Sequence, residues 1–103
     1  MNNAIDNSIV MNLYTTMSIF VGKAPKLIEH IEQAVEAENM EDLENHAAQL
    51  IVYSDNARLD GFTQRIKNLI IAARENKIHT AREHTSDIKQ AFEKMTNPTE
   101  LTV

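Results

Sequence analysis

Apolar residues in this chain recur every three or four positions in four separate runs, and nowhere do they alternate with a period of two. Such spacing places side chains on one face of a helix and leaves no half-buried strand to build a sheet from. The first run is Ile9, Leu13, Met17, Phe20, Ala24, Leu27, Ile31 and Ala34. The second is Met40, Leu43, Ala47, Leu50 and Ser54, and the third is Leu59, Phe62, Ile66, Leu69 and Ala73. The fourth is Ile78, Ala81, Thr85, Ile88, Phe92 and Met95. Gly22 and Pro25 interrupt the first run. Proline lacks the amide donor and clashes with the preceding turn, so a kink or brief break is expected there. Glu36-Ala37-Glu38-Asn39 reads as a connection, with Asn39 as N-cap and Asp42 three positions on in a capping-box-like role. The second helix is expected to stop near Ser54-Asp55-Asn56, since asparagine tolerates the left-handed conformation that ends helices. Glu75-Asn76-Lys77 reads as a short turn, and Thr96-Asn97-Pro98-Thr99 ends the fourth helix.

Four amphipathic helices with short connections bury their stripes best as an all-α, antiparallel four-helix bundle. An extra N-terminal helix packed across one end is compatible with the pattern. At 103 residues the chain makes one domain, expected over residues 1–97, with 98–103 as a tail. With no tryptophan and few aromatics, the core must be aliphatic, with methionine filling gaps.

A net charge of −5 and the absence of any Lys/Arg run argue against a nucleic-acid partner, which needs a clustered basic surface. The chain has no cysteine, which excludes disulfides, thiol catalysis and thiolate-bound metal. Its first residues lack the basic region and apolar core of a signal peptide, and its apolar runs are too short to span a bilayer. A soluble cytoplasmic protein with no membrane contact is expected.

Several segments carry a more specific pattern. Ser18-Ile19-Phe20-Val21-Gly22-Lys23-Ala24-Pro25-Lys26-Leu27-Ile28 resembles the "LFL-x-x-A-P-x-L-L" stretch of histidine-containing phosphotransfer (HPt) domains. Met40-Glu41-Asp42-Leu43-Glu44-Asn45 is similar to the "D-x-x-x-L-x-x" start of that family's active helix. In the family "A-H-x-L-K-G-S-x-x-x-x-G-A-x-x-L" comes next, and here Ala47 to Phe62 occupy those positions. In this ungapped register Leu43, Ala47, Leu50 and Phe62 fall on core positions. Ala48 stands at the phospho-accepting histidine, Ile51 at the assisting lysine, Val52 at the glycine, and Arg58 at the later glycine. The resemblance spans most of the chain and implies an HPt-type bundle acting in two-component signalling or a phosphorelay.

The replaced residues share a physical sense. Phosphoryl transfer needs an in-line nucleophile and positive charge near the phosphoryl oxygens. Alanine supplies no nucleophile and isoleucine no charge, while valine adds branches where glycine would let a receiver approach. No catalytic residue is therefore assigned, and the chain is not expected to be an enzyme. The resemblance instead implies a pseudo-phosphotransfer module with a partner-binding face at Glu44, Asn45, Ala48, Ile51, Val52 and Asp55. Leu50-Ile51-Val52-Tyr53 is apolar nearly all round a turn, so a partner, a second copy or the N-terminal segment is expected to cover it.

His46 offers an alternative acceptor, with Gln49 as its polar assistant. That shifted register puts Asp60 at a core leucine position and Leu50 at a glycine position. Two residues also turn a side chain about 200° around a helix, so His46 and Ala48 cannot share one exposed site. His79 and Glu83 are spaced i, i+4 as two metal ligands could be, but no third ligand is evident and a solvated polar face accounts for them. His30 reads the same way, and no metal or cofactor is expected. Met11, Met17, Met40 and Met95 read as core filler rather than as a recognition surface. Glu41-Asp42 is ordinary acidic charge at a helix start.

Three functions follow. The first is an HPt-like module that binds a response-regulator receiver or a histidine kinase domain without itself carrying phosphate. The second is an active phosphorelay protein using His46. The third is a homodimeric helical structural or interaction protein.

Overall fold

The computed structural model describes residues 2–97, with side chains from residue 12 onward. The expected C-terminal tail at 98–103 and the side chains of Ile9 and Met11 lie outside the described residues. Four helices account for the fold: α1 (Asn2–Glu36), α2 (Met40–Asn56), α3 (Asp60–Arg74) and α4 (Ile78–Thr96). Each helix packs on its neighbour in the chain, and α4 closes the ring against α1. The direction of packing is set by cross-helix pairs. Glu44 at the start of α2 meets Arg74 at the end of α3, while Ser54 near the end of α2 meets Thr63 near the start of α3. The bundle is antiparallel, as the four stripes require.

The three connections share one local design. Glu38, Arg58 and Asn76 take φ of 54°, 59° and 55°. In each case the following amide reaches back five residues: Asn39 to Ala34, Leu59 to Ser54, Lys77 to Ala72. This is the Schellman arrangement, which satisfies carbonyls left open at a helix end. The carbonyls of Asn39, Leu59 and Lys77 then accept the first amide bond of the next helix, so one residue both closes one helix and opens the next. Asn39 also caps with its side chain, accepting the Asp42 amide at 3.1 Å, the N-cap expected from the sequence. The left-handed residue after α2 is Arg58, where Asn56 was expected. Asn56 is the last helical residue, buried Ala57 follows it into the core, and the reversal falls one position later.

Of the kink or brief break expected at Pro25, the break is absent: α1 continues through Pro25 as helix. Proline there removes the donor that would reach the Val21 carbonyl. Both residues are exposed, so water can take the place of the lost bond. The first 35-residue helix is thus continuous, and no separate N-terminal helix is present among the described residues.

Phe20, Ile31, Leu43, Leu50, Ile66, Leu69 and Ile88 are fully buried and come from all four helices. Phe20 meets Phe62 and Phe92 edge-on, at centroid separations of 5.3 and 5.7 Å, and so ties α1, α3 and α4 together at one end. The ion pairs Arg65–Asp87, Arg74–Glu44 and Lys89–Glu32 join helices at the surface, where each contributes little compared with the core. No helix among the described residues is long and apolar enough to cross a membrane.

Candidate functional site

The partner-facing residues expected from the sequence all lie on α2, and burial divides them. Asn45, Ala48, Val52 and Asp55 are exposed, at spacings of three and four that put them on one outward stripe. Glu44 and Ile51 are half-buried at the edge of this stripe. Leu43, Ala47, Leu50 and Phe62 are buried, as their three- and four-residue spacing implies.

The apolar run at 50–53 is less open than its composition implies. Leu50 is core, and Ile51 and Tyr53 pack against the core cluster, leaving Val52 (56% exposed) as its outward member. The expectation that the whole turn needs an external cover is therefore corrected: neighbouring helices cover most of it. Among the described residues Ile71, on the adjacent α3, is the other large aliphatic residue more than half exposed, at 52%.

Arg74 borders the α2 face through its bond to Glu44, with Nε to Oε2 at 3.0 Å. The hydrogen bond to Glu44, reinforced by its charge, raises the Arg74 pKa above the ordinary guanidinium value. The guanidinium nearest to Glu44 is thus already engaged by a carboxylate. Beneath the face, the Ser54 hydroxyl donates to the Ile51 carbonyl at 3.2 Å and lies 2.6 Å from the Thr63 hydroxyl. Since serine has one hydroxyl proton, Thr63 is the donor in that second bond.

His46 lies on a different side of α2. It is half-buried against α1, with its ring 4.8 Å from the ring of His30. Its Nδ1 is buried without a partner. Gln49 lines the same groove between α1 and α2. Helical spacing had separated His46 from Ala48; only the packing of α1 on α2 brings His30 to it. Among the described residues no group of three or more His, Cys, Asp or Glu side chains is placed to hold a metal ion. His79 and Glu83 are exposed on α4.

Cross-helix neighbours were the part sequence reasoning missed. Arg74 beside Glu44, and Lys23, Lys26 and Tyr53 around the histidine pair, belong to separate helices whose relative rotation no single stripe encodes. No protein-family model, curated protein or solved structure matches the chain.

Proposed function

We propose that this protein is an HPt-like module that binds a response-regulator receiver or histidine kinase domain through α2 and does not carry phosphate. The observation that carries this reading is the outward stripe of α2. Ala48, at the position of the phospho-accepting histidine, is exposed beside exposed Val52, and the side chains on that stripe include no histidine. Arg58 is compatible with this reading: it stands where the family pattern has its second glycine and adopts a left-handed φ of 59°, as Glu38 and Asn76 do at the other two connections.

The placement of His46 favours binding over transfer. A receiver seated on Ala48 and Val52 would meet a different side of α2 from the one holding His46. In-line attack requires the nucleophile to face the donor. Calorimetry against a panel of receiver and kinase domains from the same genome tests the proposal. Saturable binding, without acid-labile phosphate on this chain after incubation with a phosphorylated receiver, is the expected result. Binding by none of the panel, with self-association through Val52, would replace it with the homodimer reading. Phosphate on His46 would replace it with the relay.

A further inference from the structure

We infer that the groove between α1 and α2, beside the face proposed for a protein partner, binds a small phosphate monoester. The groove has a volume of about 430 Å³ and is lined by Lys23, Lys26, His30, His46, Gln49 and Tyr53, together with Gly22 and Leu27. Every polar side chain in that lining can donate a hydrogen bond, and none is a carboxylate. This is unusual for a chain with 15 acidic residues and a net charge of −5. Among the described residues neither lysine forms an ion pair; the salt bridges of the protein use Arg65, Arg74, Lys77 and Lys89 instead. Glu29, close to Lys26 in sequence, is engaged by Gln33.

The histidines sharpen the assignment. His46 Nδ1 is buried without a partner, which leaves Nε2 as the ring nitrogen available to a ligand. Asp42 lies beyond the histidine pair, in a second groove that shares His30 and His46 but neither lysine. The lysine side is therefore the anion side. A tetrahedral dianion accepts from several donors at once, which suits two ammonium groups, imidazole N–H groups, an amide and a phenol better than a single carboxylate does. The volume exceeds what inorganic phosphate fills and leaves room for an ester group.

Titration of the intact protein at neutral pH and constant ionic strength, followed by amide and histidine-ring resonances, tests the assignment. Glycerol 3-phosphate is expected to give saturable shifts at His30, His46 and Gln49, and to bind at least as tightly as inorganic phosphate. Succinate is expected to bind more weakly than either. The double variant K23A/K26A, which removes two exposed side chains, should weaken glycerol 3-phosphate binding by about tenfold or more. Lys67→Ala, which removes an exposed lysine on α3, should leave it unchanged. Shifts that do not saturate, equal losses in Lys67→Ala, tighter binding of succinate, or binding of inorganic phosphate alone would each overturn it. Receiver binding is scored separately through Val52, so failure of either proposal is distinguishable from failure of the other.

Discussion

Ser54 and Thr63 join α2 to α3 through a buried hydroxyl pair 2.6 Å apart, directly behind the face that carries Ile51 and Val52. Both residues are buried, and Ser54 donates its own hydrogen bond to the Ile51 carbonyl. The hydroxyls therefore form a short chain from α3 into the backbone of α2. Polar groups in an apolar bundle are tolerated because each finds its partner there.

Ser54→Ala removes the acceptor while leaving the Thr63 hydroxyl buried, and should cost about 1–3 kcal/mol of stability. Thr63→Val removes the donor with little change in shape and should cost less. The double variant should cost less than the sum of the two, with a coupling of about 0.5–3 kcal/mol in a denaturant double-mutant cycle. Strict additivity would show that the hydroxyls do not act as a pair.

Arg58 holds a left-handed backbone conformation with a side chain present, which strains any residue bearing a Cβ. Arg58→Gly should raise stability by about 0.5–1 kcal/mol, seen as a higher denaturation midpoint at unchanged slope. Gly61 poses the opposite case inside α3, where a Cβ would meet nothing within 4 Å. Gly61→Ala, at the second position of the helix, should stabilise by less, up to about 0.5 kcal/mol, through helix propensity alone.

Val52 and Leu50 are two residues apart and should respond in opposite ways. Val52→Asp should weaken partner binding by about tenfold or more and leave helicity and stability nearly intact, because the side chain is exposed. Leu50→Ala should cost about 2–5 kcal/mol of stability, since that side chain is fully buried. Circular dichroism with calorimetry separates the two effects. Unfolding of Val52→Asp would show that residue 52 belongs to the core.

Ala48→His should restore no efficient phosphoryl transfer from an activated receiver. The new imidazole would lie on the exposed stripe, but Ile51 offers no charge, Val52 crowds the approach and Arg74 is engaged by Glu44. Phosphorylation assays on Ala48→His and on Ala48→His with Ile51→Lys measure how far charge limits the reaction. Rapid transfer by the single variant would show that the scaffold needed only its nucleophile.

The sequence by itself determined the helices and their inward faces, because these depend on neighbours within a turn or two. The spacing of Leu43, Ala47 and Leu50 is enough to place them together on one side of α2, and Asn39 caps by reaching only as far as Asp42. The exposure of Ala48 and Val52 follows from the same spacing. Pro25 passed unbroken through α1 because its cost depends on whether water reaches the freed carbonyl, and that is settled by what packs nearby. How far Ile51 leans on the core is decided in the same way, by the rotation of α2 against its neighbours. The meetings of His46 with His30, Glu44 with Arg74 and Ser54 with Thr63 span 16, 30 and 9 residues. Such contacts arise from the axial offset and rotation of whole helices, which many side chains set jointly and no local pattern records.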